Sequence, residues 1–152
     1  MRGLVPAVAV LLAAAVASHA DEPPLPEVAA ALARIKDAST IELTTTGRKS
    51  GKQHMRPIWF VASDDEIVVQ AGKDGKTDWY RNLLKTPTAS VRQDGYVFRV
   101  RATPVTDAAR VEAIHKLFVQ KYTSAWLLSF LGSSIGRGRP VELAPVSVSV
   151  AR

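Results

Sequence analysis

Arg48, Lys49 and Lys52 fall within one short turn bounded by Gly47 and Gly51, with hydroxyls at Thr44–Thr46 and Ser50 beside them. Cationic and hydroxyl donors packed this closely suit a phosphate group. Trp59 lies just downstream and offers a flat aromatic face. This is the chemistry of a ligand with a phosphate tail and a planar ring. A second basic loop, residues 72–77, carries Lys73 and Lys76. If the first three strands are neighbours, the two loops converge on one anion site, and Trp59 and Trp79 flank the ring. Solvated loop lysines and ordinary core tryptophans are the alternative, and residue types alone leave both open.

Acid–base or covalent chemistry has no comparable signal. There is no Gly-x-Ser-x-Gly elbow, and no His/Asp/Glu cluster has the spacing of metal ligands, so no metal is expected. Asp64, Asp65, Asp74 and Asp78 stand where turns and helix caps require them, and His115 reads as a satisfied boundary residue on a helical stripe. The chain has no cysteine, which excludes disulfides and thiol chemistry.

The elements that must position these residues are legible in outline. Glu27–Ala38 has Val28, Ala31, Leu32 and Ile35 at helical spacing. Thr40–Thr46 and Gln53–Phe60 form a hairpin around the basic turn, with Pro57 fitting only an edge or bulged position. Glu66–Ala71 is a third strand, and a helix capped by Thr77 or Asp78 runs from Trp79 to about Lys85. Thr88–Gln93 and Tyr96–Pro104 pair around Asp94-Gly95, a strong hairpin signal. Thr106 or Asp107 caps a helix over Ala108–Tyr122, with a stripe of Val111, Ile114, His115, Phe118 and Val119. Val141–Val150 closes the sheet. The pattern predicts an α+β fold of about six mostly antiparallel strands with two to four helices, plausibly closed as a barrel.

The 152 residues suffice for one domain. Residues 1–20 read as a secretory signal peptide: Arg2, an apolar run from Leu4 to Ala17, and Ser18-His19-Ala20 before a cleavage site after Ala20. The apolar run is shorter than the ~20 residues a membrane span needs. Residues 21–39 form a leader and helix, and residues 40–152 the main domain. The mature chain would be periplasmic or secreted. Its charge falls from +6 to +5 with the loss of Arg2, which suits anionic small molecules, while export argues against nucleic acid.

The run Leu43-Thr-Thr-Thr-Gly-Arg-Lys-Ser-Gly51, followed by Pro57-Ile-Trp-Phe60, resembles the flavin/deazaflavin-dependent oxidoreductase superfamily. Val68–Lys73 and Asp78-Trp-Tyr-Arg-Asn-Leu-Leu84 match its next segments in order. The branch it resembles lies close to the deazaflavin-dependent nitroreductases, and the superfamily shares the split β-barrel of pyridoxamine-phosphate oxidases. The resemblance implies coenzyme F420 or FMN as cofactor and hydride transfer to a small-molecule acceptor of quinone, nitro or enone type. It implies that Lys49 and Lys73 hold the cofactor's acidic tail, that Pro57, Ile58 and Trp59 lie along the ring, and that Trp79 and Asn82 stand near the tail or ring edge. Arg48, Ser50, Ala71 and Gly72 belong to the same matched segments. Tyr122 keeps one of the tyrosines that cover the ring and is the implied catalytic residue. Where many relatives have arginine this chain has His54, so one tail contact is either lost or moved to Arg56. Ala125 and Leu128 stand where nitroreductases have tyrosines, which argues against activity on nitro compounds. Relatives often form homodimers. A cofactor-free binding protein for a lipid or other apolar anion is the competing reading, with Ala125–Leu131 as its lipid or membrane-surface contact; an inert interaction domain is the third.

Overall fold

The computed structural model describes residues 25–63, 65–122 and 138–151. The expected signal segment and Ala125–Leu131 lie outside them. Helix α1 (Pro26–Ile35) opens the described chain, with Pro26 in its first turn and Glu27 favourably placed against the helix dipole. Strands β1 (Ile41–Thr46) and β2 (Gln53–Ile58) form the basic hairpin, and β3 (Phe60–Ala62) and β4 (Ile67–Ala71) follow. A four-residue turn, α2 (Gly72–Gly75), leads into α3 (Asp78–Lys85). The hairpin of β5 (Thr88–Gln93) and β6 (Tyr96–Pro104) precedes α4 (Ala108–Lys121) and the last strand, β7 (Arg139–Val150).

The strands make one curled, seven-stranded antiparallel sheet in the order β2-β1-β5-β6-β7-β4-β3. The expected α+β class holds, with one strand more than the sequence suggests. The stretch Gln53–Phe60 is not one strand: it breaks at Trp59, β2 pairs with β1, and β3 pairs with β4. Pro57 lies on β2, an edge strand, where its missing N–H leaves no gap in the ladder. Asp94 and Gly95 both have positive φ (48° and 77°), as a two-residue hairpin turn of matching twist requires.

The concave side of the sheet is the main core. Ile41 and Leu43 of β1, Val91 of β5, Phe98 and Val100 of β6, and Val141 and Leu143 of β7 are buried there. The face of α1 formed by Val28, Ala31, Leu32 and Ile35 fills the same core, as its spacing predicts. Each such fully buried aliphatic side chain contributes about 1.5–3 kcal/mol by leaving water. The convex side near β3 and β4 is covered by α4, through Val68, Ile114, Phe118 and Tyr122. Asp107 caps α4 by accepting a hydrogen bond from the Arg110 N–H at 2.8 Å. Its buried stripe is narrower than expected: Val119 is 43 % exposed, because α4 meets the sheet only along Ile114, Phe118 and Tyr122.

Candidate functional site

The basic turn after β1 is closed by its own backbone. The Gly47 N–H donates to the Lys52 carbonyl at 2.7 Å, and the Gly51 N–H donates to the Gly47 carbonyl at 2.8 Å. Gly51 takes a positive φ of 69° that its lack of a Cβ permits. Helix α3 packs on β1 and holds this turn from behind. The Asn82 carboxamide oxygen accepts from the Arg48 N–H at 3.1 Å and from Arg48 Nη1 at 3.2 Å. Its Nδ2 donates to the Thr45 hydroxyl at 3.2 Å. Lys85 Nζ donates to the Arg48 carbonyl at 2.8 Å, and Arg48 Nη1 forms an ion pair with Asp78 at 2.9 Å. The hydrogen bond from Arg48, reinforced by its charge, holds the Asp78 carboxyl below the usual carboxylate range.

A cavity of about 370 Å3 opens in front of the turn, lined by Thr45, Gly47–Ser50, His54, Arg56, Asp78, Trp79 and Asn82. Thr45 and His54 are cross-strand partners, as are Leu43 and Arg56, so the barrel-facing side of the hairpin changes from apolar to cationic as it leaves the core. Arg48 is spent on Asp78 and Asn82. Lys49 and Arg56 form no ion pair among the described residues and face the cavity free to bind an anion. His54 Nε2 lies 3.3 Å from Ser50 Oγ, closing one wall. Two unpaired cations, a hydroxyl and an imidazole fit a phosphate or carboxylate group. The volume is at the low end for sites that enclose a whole small molecule, about 300–1,000 Å3, so it suits a ligand's anionic tail better than its ring.

Of the residues the sequence singles out, Arg48, Lys49, Ser50, Arg56, Trp79 and Asn82 come together here. The premise for convergence of the two basic loops does not hold, because β4 is separated from β1 by β5, β6 and β7. Lys73 is not among the residues lining this cavity. It sits in the left-handed turn of α2, where Lys73 and Asp74 both have φ of 52°, a conformation uncommon for lysine. Asp74 is paired with Arg139 at 2.9 Å. Gly72 is part of the same turn, and Ala71 is fully buried in the core. Pro57 and Ile58 continue β2 beyond Arg56. Thr45, expected as a phosphate donor, instead accepts from Asn82, and Asp78, expected as a cap, pairs with Arg48. No local signal marks either, because their roles arise only when α3 meets β1.

Trp59 and Tyr122 belong to a different cluster. Their rings stack with centroids 4.5 Å apart and planes 12° from parallel. The Tyr122 hydroxyl is 3.0 Å from the Phe60 N–H, 2.8 Å from the Phe60 carbonyl and 2.9 Å from the Ser39 carbonyl. Burial raises its pKa to about 12, against the opposing hydrogen bond to Phe60. Lys121 Nζ donates to the carbonyls of Lys36 and Phe60, both at 2.9 Å, and stands 3.7 Å above the Phe60 ring. Burial lowers its pKa to about 8, although Asp37 acts in the other direction. These two side chains supply the backbone partners missing where the sheet breaks at Trp59. The Tyr122 hydroxyl is thereby committed to the backbone, and its ring covers Trp59 rather than the cavity. His115, read as a satisfied boundary residue, is half-buried with Nε2 3.0 Å from the Gly138 carbonyl.

The model of a bacterial family described as "uncharacterized protein conserved in bacteria (DUF2255)" matches residues 31–133. Among solved structures, a conserved hypothetical protein of Mycobacterium tuberculosis superposes with a TM-score of 0.64 at 17 % identity, over 83 % of this chain and 84 % of that one. A Listeria innocua protein assigned as a pyridoxamine 5′-phosphate oxidase gives 0.59 at 13 %, over 80 % of this chain and 94 % of the other. An F420-H2 dependent reductase gives 0.53 at 28 %, over 70 % of this chain and 94 % of its own. The fold is that of the pyridoxamine-phosphate-oxidase-like split barrels.

Proposed function

The chain belongs to that bacterial family, and from this premise we propose that it is an exported, oxidoreductase-like protein that binds a flavin-type cofactor, coenzyme F420 or FMN. The observation that carries the reading is the cavity at the first hairpin, where Lys49 and Arg56 stand unpaired beside Ser50 and His54. The similarity to an F420-H2 dependent reductase at 28 % identity supports it. Lys49, Arg56 and Ser50 would hold the acidic tail, with Arg48 fixing the turn rather than binding. Trp79 at the cavity wall is the aromatic placed to meet the adjoining part of the ligand. When bound, such a cofactor supplies hydride transfer, here to a small quinone or enone acceptor, and the protein's share is binding and orientation.

Titrating the purified protein with FMN and with F420, and following absorbance and the thermal midpoint, tests the proposal. A saturable rise in midpoint that is lost in Lys49→Ala/Arg56→Ala supports it; no shift with either cofactor sinks it. The small cavity and the mutual stacking of Trp59 and Tyr122 favour a second reading, a cofactor-free binding protein for an apolar anion. Mass spectrometry of ligands retained on native purification separates the two. Export to the periplasm or exterior is part of the proposal and is checked by cell fractionation. Homodimer formation is checked by light scattering.

A further inference from the structure

Among the described residues, α4 covers the convex face at the β4 and β3 end, where Val68 meets Ile114 and Phe118. Elsewhere the described residues leave a strand surface whose composition follows from register. On β1, Ile41, Leu43 and Thr45 point into the barrel, so Glu42 and Thr44 point out. The pairings then set two outward rows. Met55, Thr44, Ser90, Arg99 and Ser147 form one; Pro57, Glu42, Arg92, Val97 and Ser149 form the other. Arg101 stands two residues along β6 from Arg99, on the same face and about 7 Å away.

Arg92, Arg99 and Arg101 are all exposed, and none forms an ion pair or hydrogen bond among the described residues. Arg34, Arg56 and Arg81 are also exposed and without an ion pair among the described residues, but they lie singly on α1, β2 and α3. Arg48, Arg110 and Arg139 are each matched to a carboxylate. Glu42 stands directly opposite Arg92 in its row, so Arg99 and Arg101, with Ser90 and Ser147 flanking Arg99, are the guanidinium groups that offer a fork-shaped donor set to phosphate oxygens. Met55, 54 % exposed in the same row as Arg99, adds an apolar tip.

We infer that this face is a docking surface for a membrane rich in acidic phospholipids. Its positive charge matches a layer of phosphate headgroups, and Met55 can enter the boundary beneath them. A second copy of the chain applied symmetrically would set arginine against arginine. A single-stranded nucleic acid would need aromatic stacking platforms. The aromatic residues of β6, Tyr96 and Phe98, alternate with Val97 and Arg99 and so lie on the opposite side. The inference does not depend on the cofactor proposal, since the cavity opens on the barrel-facing side of the hairpin.

Co-sedimentation of the full chain with phosphatidylcholine vesicles, with and without phosphatidylglycerol, tests it. Wild type should bind only the acidic vesicles, and high salt should release it. Arg99→Gln/Arg101→Gln should weaken binding about thirty-fold. Arg81→Gln/Lys116→Gln, which removes the same charge elsewhere, should leave binding within about three-fold. Equal binding to both vesicle types overturns the inference, as does an equal loss in both double variants. A single-stranded oligonucleotide that binds wild type more tightly than acidic vesicles, and loses that binding in Arg99→Gln/Arg101→Gln, would reassign the face and overturn it too. The thermal midpoints of all variants should stay near wild type, because Arg81, Arg99 and Arg101 have no ion pair among the described residues and Lys116 has only an exposed one with Glu112 at 3.7 Å.

Discussion

Asn82 and Arg48 are joined twice: one carboxamide oxygen accepts from both the backbone N–H and the guanidinium of Arg48, at 3.1 and 3.2 Å. Asn82 is itself buried, and its other end donates to Thr45, also buried. The asparagine is therefore a rivet between α3 and the turn that carries Lys49.

Asn82→Ala should leave the Thr45 hydroxyl and the Arg48 N–H without partners in a dry place, at about 1–3 kcal/mol. For a domain of this size that lowers the thermal midpoint by several degrees, about 2–4 °C per kcal/mol. Asp78→Asn, which loses only an exposed ion pair, should cost well under 1 kcal/mol. Similar midpoints for the two variants would refute the rivet.

Lys49→Ala and Arg56→Ala should each weaken binding of a phosphate-tailed ligand about ten-fold, because each removes one charge-assisted contact. Neither should change stability, since neither residue has an ion-pair partner to leave behind. Isothermal titration with FMN reads the first outcome and melting curves the second; a loss of affinity explained by a loss of folding would contradict the assignment.

Gly47 faces a crowded corner. A Cβ there would lie 2.6 Å from Ser50 Oγ and 2.7 Å from His54 Nε2. Gly47→Ala should push both side chains aside and distort the cavity wall, and His54→Ala should relieve the clash. The check is a double-mutant cycle on ligand affinity. Additive effects would mean that the corner is not as tight as described.

Alkaline titration should give a rise and then a fall in stability. Lys121 titrates near pH 8 folded against 10.5 unfolded. Between those values the unfolded chain binds more protons, so stability climbs with pH. Tyr122 has the opposite sign: burial raises its folded pKa to about 12, above the ordinary 10.0 of tyrosine. Its contribution is complete below about pH 10 and is lost as pH rises towards 12. Lys121→Met should flatten the rise, and Tyr122→Phe the fall, in urea melts taken across this range. Unchanged profiles would separate these groups from the stability of the Trp59–Phe60 break.

Arg110 bridges Glu142 and Glu66. Burial and the nearby Glu142 raise the Glu66 pKa even though Arg110 opposes them. Arg110→Met should leave two carboxylates facing each other and destabilise the protein at pH 7 by about 1–2 kcal/mol, discounted for partial exposure. Adding Glu66→Gln should restore much of the loss. A double variant no more stable than Arg110→Met would show that repulsion is not the cause.

Local chemistry made much of this architecture readable in advance. The Asp94-Gly95 hairpin, the amphipathic face of α1 and the edge position of Pro57 depend on neighbours in sequence, and the structure has them where expected. The strand order was not readable, because β7 joins β4 and β6 through contacts that no nearby residue announces. The break at Trp59 was hidden for the same reason: Phe60 finds its backbone partners in Lys121 and Tyr122, some 60 positions later. In the site, the cations of the first turn were evident by type. The anchoring roles of Asn82 and Thr45 were not, since they exist only once α3 lies on β1.

The placement of β7 also has a consequence for timing. It is the last strand in the described chain, and it alone joins β6 to β4. Until it emerges, β2-β1-β5-β6 and β3-β4 are two separate sheets with unpaired edges at β6 and β4. Neither half can close the barrel around α1 beforehand. The sheet therefore cannot be completed before Arg139–Val150 has been synthesised.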